Sequence, residues 1–151
     1  MSEARRKAGD LARESLAAGD PTGWFETLYR QADGDPGGIS WADLAPNPNL
    51  TEWMDREHVP GGGRRALKIG CGLGDDAAER ARRGFVVTAF DVAPTAVAWC
   101  RRRFAGSLVR WQVADLLAPP RAYEHGFAFV LESYTLQVLP PEARAVAAAA
   151  L

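Results

Sequence analysis

Apolar positions follow two different rhythms along this chain. Over the first 60 residues they recur at helical spacing between breakers. Residues 1–19 predict an amphipathic helix with Leu11 and Leu16 on a weakly apolar face, stopped by Gly19-Asp20-Pro21. Thr22 is placed to cap a short helix carrying Trp24, Phe25 and Leu28. Gln31 to Ser40 mixes glycine, proline and acids and predicts a loop. Pro46 and Pro48 keep the next stretch irregular, and Asn49 is placed to cap a helix from Leu50 to about His58. Pro60-Gly61-Gly62-Gly63 predicts a hinge.

From Arg64 onward the rhythm changes. Short apolar runs at Ala66–Ile69, Phe85–Phe90, Leu108–Val113 and Phe127–Leu131 predict strands. Charged helical segments at Leu73–Arg83 and Pro94–Phe104 separate the first three, with Gly84 in a helix-ending position. Pro140-Pro141 starts a last helix, Glu142 to Leu151. Alternating strands and helices imply crossover connections and a parallel sheet. The expected fold is therefore α/β, a doubly wound parallel sheet (64–151) under a helical N-terminal cover (1–60), together a single domain. A sheet of this kind usually has more than four strands, so the chain reads as a fragment, or as a half that borrows a neighbour through an exposed sheet edge.

Ligands of such sheets sit at the carboxyl ends of the strands, near the switch in strand order. Four features fall there. Gly70-Cys71-Gly72-Leu73-Gly74 joins the first strand to a helix with its backbone uncovered. Asp91, followed by Val92, closes the second strand about 20 residues after the first glycine, where a carboxylate accepts from two ribose hydroxyls. Asp115 follows the third strand and could accept from an adenine amino group, with Leu116 against the ring. Glu132 closes the fourth. Each has a plainer reading as a turn or cap residue; the joint reading is a nucleoside site.

Composition narrows the rest. With 18 basic and 19 acidic residues and a net charge of −1, the chain lacks the basic excess of a nucleic-acid or membrane-surface binder. Cys71 and Cys100 show neither metal nor redox spacing, and His58 and His125 stand alone, so no metal site is expected and a reduced cytoplasmic setting is. No apolar run reaches the length of a membrane span, and Met1–Asp10 lacks the apolar core of a secretory signal.

A dinucleotide site requires a helix start free to hold pyrophosphate. Here Asp75 and Asp76 begin the helix, repelling an anion by about 1–4 kcal/mol per pair if close and poorly screened. The same acids tolerate a ligand bearing a sulfonium and an ammonium, and they also suit the helix dipole.

On these motifs the chain resembles class I S-adenosylmethionine-dependent methyltransferases, over Leu67–Asp76, Val86–Pro94, Val109–Leu117 and Phe127–Pro141. Trp24, Leu28, Tyr29, Ile39-Ser40-Trp41, Pro46-Asn47-Pro48 and Trp53 are similar to the N-terminal cover of bacterial thiopurine methyltransferase-like proteins. The resemblance implies S-adenosyl-L-methionine as cofactor and methyl transfer to a small-molecule acceptor, by analogy a thiol or related soft nucleophile. It places Gly70, Cys71, Gly72 and Gly74 at the methionine part, Asp91 and Val92 at the ribose, and Asp115 and Leu116 at the adenine. Glu132-Ser133-Tyr134-Thr135 would face the methyl group, making Glu132 the candidate base and Tyr134 a positioning group. Trp24 or Trp41 would lie over the sulfonium, against the ordinary reading of core anchors. The family usually carries an acid two residues before the first glycine; this chain has Lys68. Two rivals stay open: a nicotinamide-dependent oxidoreductase, and a cofactor-binding inactive or partner subunit.

Overall fold

Side-chain parity along the strands decides how the layers form. The computed structural model describes residues 1–151. Strands β1 (Arg65–Ile69), β2 (Val86–Asp91), β3 (Arg110–Val113) and β4 (Phe129–Leu131) form one parallel sheet in the order β3-β2-β1-β4. Ala66, Val87, Ala89 and Trp111 point to one face, where they meet helices α3 (Pro48–Arg56), α4 (Asp75–Arg82) and α5 (Pro94–Arg103) through Met54, Ala77, Val97 and Cys100. Leu67, Ile69 and Phe90 point to the other, where Leu139 and Ala147 bring in α6 (Pro141–Ala149). Helices on both faces make the sheet doubly wound, as the strand and helix rhythm predicts.

The chain runs outward from β1 to β3 and then returns to the far side of β1 for β4. The switch in strand order thus lies at β1, directly beneath the glycine turn.

Of the cover expected over residues 1–60, α3 packs on the sheet, and the part that lies outside it is α1 (Glu3–Ala17) and α2 (Gly23–Ala32). It packs on α5, not on the sheet: Ala8, Trp24, Leu28 and Tyr29 share a cluster with Ala96 and Trp99. Glu26 fixes the docking, its carboxylate accepting from the Thr95 amide at 2.9 Å and the Thr95 hydroxyl at 2.6 Å.

Element edges differ from the sequence reading by one to two residues in most places. Asn47, not Asn49, caps α3, because its side chain accepts from the Asn49 amide at 3.0 Å and lets Pro48 occupy the first turn. Leu108 is exposed and precedes β3 instead of opening it.

Candidate functional site

The glycine turn owes its shape to positions where a side chain cannot fit. Gly70 has φ 57°, and a Cβ there would collide with the Thr135 side chain. Gly74 has φ 94°, and a Cβ there would lie 2.8 Å from the Trp111 ring and 3.0 Å from Cys100 Sγ. Between them Gly72 is open, with Tyr29 Oη 3.6 Å and Trp41 Nε1 4.0 Å from the same hypothetical atom. The turn therefore exposes backbone on one side and locks into the core on the other.

Above it opens a cleft of about 900 Å³, a size suited to a nucleoside-bearing ligand. Gly70, Cys71, Gly72, Gly74, Asp91, Val92, Asp115, Leu116, Trp24, Trp41 and Tyr134 all border it. Residues scattered over more than 100 positions of sequence are thus gathered at one place. A separate hollow of about 570 Å³ by Arg65, Arg110 and Tyr123 includes no part of the turn.

Asp91 is buried at the end of β2. Its Oδ2 accepts from the Gly72 amide and its Oδ1 from the Ala93 amide, both at 3.0 Å. Burial pushes its carboxyl above the usual range, against the pull of those two amides. A carboxylate has about four acceptor sites, so capacity for ribose hydroxyls remains. Asp115 uses Oδ1 to hold the Leu117 amide at 2.8 Å in a local turn; Oδ2 has no protein partner.

Glu132 is placed differently. Its Oε1 accepts from the Thr135 and Leu136 amides at 2.7 and 2.9 Å, and it does not border the cleft. It caps the short 3-10 turn at Leu136–Val138. Tyr134 does border the cleft, is 63% exposed, and is held at φ 60°.

The two acids at the start of α4 also need correction. Asp75 is paired with Arg103 by bonds of 2.8 and 2.9 Å, so its charge is compensated. Asp76 accepts from the Asn47 amide at 2.7 Å. Asp76 also lies within electrostatic reach of Lys68 and Arg80, so neither acid presents an uncompensated charge to a pyrophosphate.

An aromatic wall closes the cover side. Trp24 meets Trp41 edge-on at 6.0 Å, and Trp41 Nε1 donates to the Tyr29 hydroxyl at 3.1 Å. Tyr29 also packs edge-on against Trp99 at 6.4 Å. Burial, reinforced by Asp91, pushes the Tyr29 phenol up, so it stays neutral. Sequence reasoning singled out Trp24 and Trp41 for the site, but it missed Trp99, and it named Tyr29 and Thr135 only within a resemblance. A tyrosine three positions before the end of an apolar-faced helix has no signature of its own.

Beneath the turn, Cys71 and Cys100 lie with sulfurs 4.0 Å apart, and the Cys100 thiol donates to the Gly72 carbonyl at 3.2 Å. The contact with Cys100, together with burial, pushes the Cys71 thiol well above its ordinary range, which makes it a poor nucleophile. No cluster of three or more His, Cys, Asp or Glu side chains is arranged to hold a metal. No helix is long and apolar enough to cross a membrane.

Comparison with known proteins gives the arrangement a context. A family model described as a methyltransferase domain matches residues 66–151. No curated protein matches the chain in sequence. A solved structure described by the conversion of a disulfide bond into a thioacetal group during echinomycin biosynthesis is similar at TM-score 0.71 and 27% identity. That match covers 83% of this chain and 52% of the other. The N-methyltransferase NodS from Bradyrhizobium japonicum WM9, in complex with S-adenosyl-L-homocysteine, is similar at TM-score 0.60 and 20% identity, covering 82% and 65%. Magnesium protoporphyrin IX methyltransferase from Synechocystis PCC 6803, with S-adenosylmethionine bound, gives TM-score 0.57 and 16% identity, covering 84% and 55%. The last two are likenesses of fold. The chain spans about half the length of the first.

Proposed function

The chain belongs to the family of methyltransferase domains, and from that premise we propose that it binds S-adenosylmethionine and transfers the methyl group to a small acceptor. One observation carries the reading: the open Gly72 backbone, Asp91 and Asp115 border a single cleft at the switch in strand order. When bound, the cofactor supplies an electrophilic methyl group on a sulfonium that is already a good leaving group. What remains for the chain is orientation and exclusion of water. Asp91 has acceptor capacity for the ribose, Asp115 Oδ2 for the adenine amino group, and Leu116 offers a surface for the ring. Trp24 and Trp41 border the methionine side, where a ring face attracts a sulfonium by about 0.5–2 kcal/mol.

The acceptor is proposed to be a thiol or related soft nucleophile, in line with a thiopurine methyltransferase-like cover. The similar structure whose described reaction occurs at sulfur supports this class. Reacting as the thiolate, its proton already lost to solvent, such a nucleophile needs no general base, which agrees with Glu132 Oε1 holding two amides of its own turn. Tyr134, exposed at the rim, is assigned to positioning the acceptor.

Isothermal titration with S-adenosylhomocysteine tests the binding step, and transfer of a labelled methyl group to small thiols tests the reaction. Heat and label transfer are expected. A folded chain that gives no heat at millimolar ligand would remove the reading, and tightening by a reduced nicotinamide dinucleotide would install the oxidoreductase instead. Binding without transfer favours a second reading, a cofactor-binding partner subunit. The open edge of β4, which pairs with β1 alone and leaves Val130 45% exposed, supports that reading.

A further inference from the structure

Lys68 occupies the central strand two residues before Gly70 and faces the layer that holds α4. It is only 3% exposed, yet it borders the cleft. Its ammonium donates to the Ile69 carbonyl at 2.9 Å and the Gly70 carbonyl at 3.4 Å. An ammonium has three donors, so one has no partner in the protein. None of the six ion pairs of the chain includes it. The nearby acids are committed elsewhere, Asp91 to two backbone amides and Asp76 to the Asn47 amide. Asp76 and Asp91 attract it only through space; a buried cation without a directly bonded counter-charge is costly, and it gains strongly from an anion that reaches it.

The cleft has few other places for an anion. Among the residues that border it, only Arg5 and Lys68 are cations, and Arg5 is exposed on the first turn of α1. The ligand of the proposed function carries one carboxylate, on its methionine part, next to the glycine turn.

Resting on that reading, we infer that Lys68 is the anchor for the carboxylate of the cofactor's amino-acid moiety, through the free donor of its ammonium beneath Gly70. An acid at this position favours the ammonium end of a zwitterion. A lysine reverses the preference and draws the carboxylate end toward β1. This chain is therefore selective for the intact amino-acid tail and poor at holding a ligand that has only the amine.

Isothermal titration with two ligands tests this. S-adenosylhomocysteine carries the carboxylate and the amine; 5′-(3-aminopropylthio)adenosine keeps the amine and lacks the carboxylate. The parent should bind the first at least about tenfold more tightly. Lys68→Met, which removes the charge at nearly constant volume, should weaken the first about tenfold or more and leave the second unchanged or tighter. Equal loss for both ligands, or unchanged or tighter binding of S-adenosylhomocysteine, overturns the inference. So does loss of the discrimination in Arg5→Ala instead. If Lys68→Met does not fold, the parent's own ratio decides, and a ratio near one overturns the inference while leaving cofactor binding intact. A folded parent that takes up neither ligand overturns the cofactor reading itself.

Discussion

Asp91 Oδ2 accepts the Gly72 amide at 3.0 Å, so the acid that closes β2 also holds the turn that follows β1. Site and fold share this carboxylate. Asp91→Ala removes two charge-assisted bonds, to the buried Ala93 amide and the half-buried Gly72 amide, and leaves those donors without their partner. The variant is expected to lose about 2–4 kcal/mol of stability and to bind S-adenosylhomocysteine more weakly by about 1.5–3 kcal/mol. Denaturant midpoints and titration calorimetry separate the two losses. An affinity unchanged in a destabilised variant would confine Asp91 to the turn.

Gly70 and Thr135 make a second such junction, here between the turn and the segment after β4. Gly70→Ala must relieve a collision with the Thr135 side chain and adopt φ 57°. A cost of about 2–4 kcal/mol is expected from strain and overpacking together. Pairing it with Thr135→Gly removes the collision but not the strain, and thermal denaturation should show a partial recovery.

The sheet was legible because its signals are local. Short apolar runs and glycine-led turns specify strands β1 to β4, and the acid after each strand is visible as a letter. Asp91 and Asp115 border the cleft because a strand end fixes where the next side chain goes. The partners of those acids were not legible. Arg103 neutralises Asp75 from the end of α5, 28 positions away, and only the packing of α4 against α5 brings them together. Glu132 shows the same limit in reverse: a strand-end acid is a candidate base in the sequence, and only the structure shows one of its oxygens, Oε1, holding the amides of Thr135 and Leu136. The aromatic wall was half legible, since tryptophans draw attention, whereas Tyr29 and Trp99 look like ordinary helix residues until α2 lies on α5.

Glu26 and Thr95 join the N-terminal cover to the core across 69 positions of sequence. The pair is half-buried, and the carboxylate satisfies both the amide and the hydroxyl of the first turn of α5. A double-mutant cycle with Glu26→Gln and Thr95→Val is expected to give a coupling energy of about 1–2 kcal/mol. Because α2 also carries Trp24 and Tyr29 to the cleft, the single variants should bind S-adenosylhomocysteine more weakly than the parent. A coupling near zero, read from denaturant midpoints, would show that apolar packing alone docks the cover.

Arg80 is the largest fully buried side chain, and none of its three guanidinium nitrogens has a hydrogen-bond partner. The Phe129 ring lies against it, with the guanidinium carbon 5.1 Å from the centroid. Burial lowers its pKa from the ordinary arginine value to about 10, and Asp76 offsets this only in part. Such a shift corresponds to about 3 kcal/mol of desolvation cost, against about 1 kcal/mol from the ring. Arg80→Met keeps the packing and removes the charge, so a net gain of about 1–2 kcal/mol at neutral pH is expected. The pH dependence has a definite sign. Below about 10 both folded and unfolded chains hold the proton, and the parent bears the full cost of the buried charge. Between about 10 and the unfolded value the unfolded chain binds more protons than the folded one, so the parent regains stability as pH rises. The advantage of the variant should therefore shrink from about pH 9 to about pH 11 in paired urea titrations. A gap that stays constant over this interval would mean that Arg80 reaches water or a counter-ion in solution, and that its apparent isolation between α4 and β4 is relieved there.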